Sequence, residues 1–232
     1  MSNPTIVLVH GAFADASTWS AVMPLLWDRG YEVIAAPNLL RNLNGDADYV
    51  ASVVRDVDGP VVLAGHSYAG AVITRAAQGL PNVRGLVYIA AYQPDTGEDV
   101  FALSGPDTTL GEKSSTTLLH NGEPELRVNA DSFAEVIAGD VDPQRVRLLA
   151  ASQRPTAVKA LTGALEGEPA WRKLPSWALL ATSDNAIPLA EQETMARRAG
   201  SHVVRVDSSH AVAISHPEVV ADIIDEAARA VS

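Results

Sequence analysis

The chain has 232 residues, 47% of them apolar, enough for a sizeable core in one α/β or large all-β domain; disordered segments, coiled coils and mini-proteins are excluded. Lys and Arg number 17 against 28 Asp and Glu, and the resulting charge of −11 sets a field against phosphate backbones, which disfavours a nucleic-acid partner. With no cysteine there is no disulfide framework, no thiolate metal site and no sulfur nucleophile.

Met1 to Thr5 is polar and leads into the short apolar run Ile6 to Val9, without a basic leader or a cleavage site. No segment approaches the roughly 20 apolar residues needed to span a bilayer. A cytoplasmic protein without a membrane span is expected.

Short β-branched runs predict strands at Thr5–Val9, Tyr31–Ala35, Val61–Ala64, Gly85–Ala90, Trp177–Ala181 and His202–Val206. Their apolar character is continuous rather than alternating, which predicts strands buried on both faces, as in a parallel sheet covered by helices. Alternation with helical stretches makes the fold class α/β. Ser17 or Thr18 caps a helix expected to run to Arg29 and stop at Gly30, with a kink or a late start at Pro24. From about Gln93 to Arg172 the rhythm breaks for roughly eighty residues. There Thr116–Leu119 and Glu125–Val128, joined across Asn121-Gly122, predict a hairpin, and Ser132–Ala138, Pro143–Ala151 and Pro155–Leu165 predict short helices. Such a long insertion reads as a lid, giving one domain with a core at 1–92 and 173–232 and a lid at 93–172. At the end, Ser215-His-Pro-Glu218 has the form of a capping box, and Val219, Val220, Ile223, Ile224, Ala227 and Ala228 repeat on one helical face.

The sharpest chemical signal is Val61-Val-Leu-Ala-Gly-His-Ser-Tyr-Ala-Gly70, an apolar strand, a tight turn carrying Ser67, and a helix of small residues. Such a turn holds a serine hydroxyl clear of the sheet; the usual pattern is Gly-x-Ser-x-Gly, and here Ala69 takes the last position. The bland alternative is a serine that merely caps a helix or binds phosphate. His10-Gly11-Ala12 ends the first strand, where the carboxyl ends of a parallel sheet gather the reactive groups. Gly11 lets the backbone turn, so the N–H groups of Ala12 and Tyr68 are candidates to hold an oxyanion, with His10 shaping the loop.

Of the six histidines, His10, His66, His120, His202, His210 and His216, only His210 falls on a loop between a late strand and the last helix. From there an imidazole reaches over the turn, with an intrinsic pKa suited to proton exchange near neutrality. His66, next to the serine, is expected to point elsewhere. An orienting carboxylate is available at Asp184, directly after the strand Trp177–Ala181, with Asp95 as competitor and a solvated loop aspartate as the alternative for either.

Taken together, His10-Gly11-Ala12 with Trp19 downstream, the Gly65-His-Ser-Tyr turn, Ser183-Asp184 to Ile187-Pro188, and Ser209-His210 to Ser215-His216-Pro217 resemble the α/β-hydrolase superfamily over essentially the whole chain. The order Ser67, Asp184, His210 matches its nucleophile–acid–base order. Within it the chain is similar to the small serine esterases that include plant methyl-ester hydrolases and hydroxynitrile lyases. The resemblance implies an α/β-hydrolase fold, a Ser67–His210–Asp184 triad, and an oxyanion hole at Ala12 and Tyr68. The lyases carry threonine after the first-strand histidine and lysine after the catalytic one; Gly11 and Ala211 stand there instead, which favours ester hydrolysis.

The expected function is hydrolysis of small to medium, neutral carboxylic esters through an acyl-enzyme, with no metal or organic cofactor. Carbon–carbon or lactone hydrolysis, perhydrolase activity, and a non-catalytic binding role are the alternatives, since fold does not fix reaction. Phe13, Tyr92, Phe101, Leu118, Phe133 and Leu149 are the candidate substrate contacts, the lid members among them being equally able simply to pack helices. The partner expected is a small-molecule ester, with room left for a homodimer.

Overall fold

The computed structural model describes residues 3–105, 108–119 and 121–232. The chain runs β1 (Thr5–Val9), α1 (Val22–Asp28), β2 (Val33–Ala36), α2 (Leu43–Arg55), β3 (Val61–His66), α3 (Ala69–Ala76) and β4 (Val83–Ile89). An insert follows with α4 (Val100–Leu103), β5 (Ser114–Leu118), β6 (Pro124–Val128), α5 (Phe133–Val136), α6 (Pro143–Ala151), β7 (Thr156–Ala157) and α7 (Val158–Thr162). The sheet then resumes with β8 (Ser176–Ala181), α8 (Leu189–Ala199), β9 (His202–Val206), α9 (Val212–Ser215) and α10 (Pro217–Ala230).

Six strands form one parallel sheet in the order β2-β1-β3-β4-β8-β9. This is an α/β-hydrolase fold. Successive residues of each strand enter opposite layers. Ile6 and Leu8 of β1 and Val62 and Ala64 of β3 pack with Leu26 of α1 and Val220, Ile224 and Ala228 of α10. Val7, Val9, Val61 and Leu63 pack with Val50 and Val54 of α2, Val72 and Ile73 of α3 and Met195 of α8. Both faces are covered, which is why these strands read as unbroken apolar runs. The chain leaves β1 toward β2 on one side and returns to β3 on the other, so the crevice between β1 and β3 is a topological switch point.

Several local expectations shift. The stretch after β1 opens as a short 3-10 turn at Ala16–Trp19, capped by Asp15 accepting from Ser17 N–H, and α1 starts late, with Pro24 in its first turn where a missing N–H costs no helical bond. The helix α2, capped by Asn42 accepting from Gly45 N–H, and the helix α8 were not delimited from sequence. The capping box at Ser215 does not form: α9 ends there, and α10 begins at Pro217, whose fixed φ suits the first helical position. In the insert, the hairpin spans β5 and β6 and gains a third antiparallel strand, β7, from the segment expected to start a helix at Pro155. The helix expected over Ser132–Ala138 is a 3-10 turn at Ala130–Ser132 followed by α5. No described helix is long and apolar enough to cross a membrane.

Candidate active site

Ser67 sits between the last residue of β3 and the start of α3 with φ of 57°, a left-handed conformation that L side chains rarely adopt. The strain is of order 1–3 kcal/mol and is held by the surroundings: Ser67 N–H donates to the Ile89 carbonyl at 3.2 Å, and Ser67 C=O accepts from Gly70 and Tyr92 at 2.9 and 3.2 Å. A Cβ on Gly65 would lie 2.7 Å from the Ala69 carbonyl oxygen, and one on Gly70 would lie 2.1 Å from that of Tyr92. The second close approach therefore falls one position later than the usual pattern, and buried Ala69 is accommodated.

The segment after β1 lies directly against this turn. A Cβ on Gly11 would come within 2.7 Å of Ser67 Cβ, so the absence of a side chain is what admits the strand end to the serine. Phe13, also left-handed at φ 60°, uses its N–H on the Thr156 hydroxyl of β7 at 3.0 Å. Among the described residues the N–H groups of Ala12 and Tyr68 have no acceptor. His10 is buried and structural: its Nδ1–H donates to Gly11 C=O and its Nε2 accepts from Asn38 N–H, both at 2.9 Å, and burial lowers its pKa to about 4.

His210 follows β9 on the loop into α9, and its Nδ1 lies 2.7 Å from Asp184 Oδ2. The Asp184 side chain is fully buried. Its Oδ1 accepts from Ala186 and Ile187 N–H at 2.7 and 2.9 Å, and its Oδ2 also accepts from Gln192 Nε2 at 3.1 Å. These donors fix the carboxylate, which in turn orients the imidazole with its proton on Nδ1 and leaves Nε2 facing away as the acceptor nitrogen. Ser67 and His210 open onto the same cavity without a direct hydrogen bond between them, a contact that commonly tightens only with substrate bound.

The competitor Asp95 is elsewhere, paired with Arg172, which holds its carboxyl below the usual range. His202 stacks on Trp177, His216 neighbours Asp140 at 3.5 Å, and His120 lies outside the described residues. The expectation that His66 points elsewhere is corrected: its ring packs on that of His210 at 4.7 Å between centroids.

The cavity encloses about 400 Å³. Of the candidate contacts, Phe13, Tyr92, Phe133 and Leu149 line it, and Phe101, 64% exposed, stands at its mouth. Leu118 does not: it projects from β5 into solvent, 68% exposed, because β5 is the outer strand of its sheet and leaves most of its side chains uncovered. Tyr92 offers only its ring, since its hydroxyl is committed to Ser104 Oγ at 2.8 Å, which itself donates to Val100 C=O. Tyr68 likewise donates its hydroxyl to buried Asp46 at 2.7 Å. Among the described residues the lining holds no Lys or Arg, while Asp15 and Glu112 contribute to it. Among the described residues no group of three or more His, Asp or Glu side chains is arranged to hold a metal.

Gln192, Thr156, Asp46 and the role of His66 were not anticipated. Gln192 carried a signal, a polar residue on the same helical face as buried Met195 and Ala196. Thr156 carried none, because its partner, Phe13, is 143 positions away.

A serine on a strained strand–helix turn, a histidine bonded to a buried carboxylate and the backbone N–H groups of Ala12 and Tyr68 gather near the switch point of a parallel sheet. The chain belongs to the alpha/beta hydrolase family, whose profile matches residues 6–223. It is 29% identical over 256 residues to a pyrethroid hydrolase of Sphingobium wenxiniae, covering 99% of this chain and 89% of that one. A carbendazim hydrolyzing esterase of Nocardioides is 33% identical over 110 residues, 42% of this chain and 46% of that one. In fold the chain is similar to a pyrethroid hydrolase of Sphingobium faniae, with a TM-score of 0.83 at 24% identity over 99% of this chain and 98% of that one. A methylesterase of Arabidopsis gives a TM-score of 0.82 at 19% identity, covering 97% and 99%. The protein is thus an esterase-type hydrolase.

Proposed function

We propose that the protein hydrolyses uncharged carboxylic esters by two-step acyl transfer. His210 Nε2 takes the Ser67 proton as Oγ attacks the ester carbonyl, and the N–H groups of Ala12 and Tyr68 receive the oxyanion. The C–O bond to the alcohol breaks as His210 returns the proton to the leaving oxygen. Water, activated by His210, then attacks the acyl-enzyme and releases the carboxylic acid and free Ser67. Asp184 fixes the imidazole and stabilises its cation in both halves.

The observation that carries this reading is the 2.7 Å bond from His210 to fully buried Asp184, in a cavity that His210 shares with strained Ser67. Residues 93–172 act as a lid, supplying Phe101, Phe133, Ile137 and Leu149 to the cavity. A lining without Lys or Arg among the described residues, and with Asp15 and Glu112, supports neutral substrates over those carrying a carboxylate. The relatives named as pyrethroid hydrolase and carbendazim hydrolyzing esterase are in keeping with this class.

The test is labelling with a fluorophosphonate and a panel of p-nitrophenyl esters, lactones and 1,3-diketones. Ser67 is expected to be labelled, and Ser67→Ala to abolish ester turnover while the other classes react slowly or not at all. Ester hydrolysis that survives in Ser67→Ala rejects the mechanism, and a preference for lactones or diketones rejects the substrate class.

A further inference from the structure

We infer that His66 is a positioning residue: by clamping the peptide group that follows His210, it lets the nucleophile turn itself set where the base stands. This rests on the triad reading above. His66 immediately precedes Ser67, so whatever its side chain holds is placed relative to the nucleophile through one peptide link. What it holds is the His210 carbonyl, which accepts from His66 Nε2 at 2.9 Å. The N–H of that same peptide group, that of Ala211, donates to the Ile137 carbonyl at 2.8 Å. The plane is thus fixed at both ends, by the elbow on one side and the insert on the other. Fixing it fixes ψ of His210, and with Nδ1 bound to Asp184 little freedom is left to the imidazole.

The chemistry of the donor suits the task. A carbonyl only accepts, so the His66 proton resides on Nε2 and its Nδ1 is bare. That Nδ1 has no hydrogen-bond partner among the described residues and faces Gly11, where a Cβ would approach it to 3.1 Å. Burial, followed by repulsion from the neighbouring His210, lowers the His66 pKa to about 3, so it stays uncharged through neutral pH. A Lys or Arg could supply the same hydrogen bond, but its fixed charge would oppose protonation of His210 in every turnover. The two rings, 4.7 Å apart and inclined at 43°, show how close that charge would be.

The test separates the donor from the ring. His66→Phe keeps the ring and loses the donor; His66→Gln keeps an N–H at the reach of Nε2 and loses the ring; His66→Asn places its amide too short to reach. On a p-nitrophenyl ester, His66→Phe and His66→Asn are expected to lose about thirtyfold in kcat with KM within about twofold, as a misplaced base does, and His66→Gln to stay within about threefold of wild type. If His66→Phe does not fold, the comparison of His66→Asn with His66→Gln decides by the same criterion. The inference is overturned if donor-less variants keep more than half of kcat, or if His66→Gln falls as far as they do while melting as cooperatively as wild type. Ser67→Ala, measured in parallel, keeps the two readings apart. Activity surviving there rejects the triad, whereas an inactive Ser67→Ala beside an unimpaired His66→Phe rejects only the role of His66.

Discussion

The parallel sheet and the insert at 93–172 are stabilised in different ways. In β1, β3 and β8 nearly every residue is buried, and the covering helices present apolar stripes to both faces. In the insert, β5 is largely exposed and α6 buries no residue, and apolar packing comes in patches: Val128, Phe133, Val136 and Ala138 cluster with Phe13, Ala186 and Ala211, while Val100, Ala160 and Leu161 join the core of the sheet. Individual hydrogen bonds fasten it as well: Phe13 N–H to Thr156 Oγ1, Ala157 N–H to Leu40 C=O, Ala211 N–H to Ile137 C=O, and the hydroxyls of Ser208 and Ser209 to Asp140. Most of these bonds end on the two loops that carry Ala12 and His210. Position in the core is thus set by nonpolar burial along whole elements, whereas the insert combines apolar patches with single polar contacts that also brace the site.

The largest expected difference between the regions is chemical. Ser67→Ala is expected to lower kcat by about 10⁵ and Asp184→Asn by about 10⁴, while Asp95→Asn, at the start of the insert and tied to Arg172, changes it less than about threefold. Steady-state kinetics on one activated ester checks all three, and an Asp95→Asn loss larger than that of Asp184→Asn would move the acid. Next comes packing: Leu63→Ala, fully buried in β3, is expected to cost about 3 kcal/mol. Leu118→Ser, exposed on β5, should stay within about 0.5 kcal/mol. Urea unfolding separates the two, and equal losses would mean that the insert shares the core's cooperativity.

Acid should act on the core. His10 and His66 have folded pKa values of about 4 and about 3, below the 6.5 of a free imidazole. As pH falls below 6.5 the unfolded chain takes up protons that the folded chain does not, so stability present at pH 7 declines by about 1.4 kcal/mol per pH unit for each group until its folded pKa is reached. Urea midpoints at pH 7 and pH 5 read this slope, and His66→Gln should remove one proton's share. An unchanged slope would mean that His66 is already protonated when folded. A smaller effect is expected from Thr156→Val, which leaves Phe13 N–H without its acceptor and loosens the loop that presents Ala12. About a tenfold drop in kcat with the thermal midpoint nearly held would show that the insert braces the oxyanion donors; unchanged kcat would reduce it to a cover.

The sequence by itself determined the β/α alternation, the sheet's burial on both faces, and the six strands of that sheet to within a few residues. These follow from runs of neighbouring residues, and a parallel sheet imprints its burial directly on such runs. Ser67, His210 and Asp184 were nameable for a related reason: each occupies the loop after a strand, a position that chain order reveals. Tertiary structure alone decided what lies between them. Thr156 on Phe13, His66 under His210, Asp46 on Tyr68 and Asp140 on Ser209 are contacts between single side chains and partners 22 to 144 positions away. No periodicity records such pairs, because each depends on where two loops meet once the apolar layers have closed.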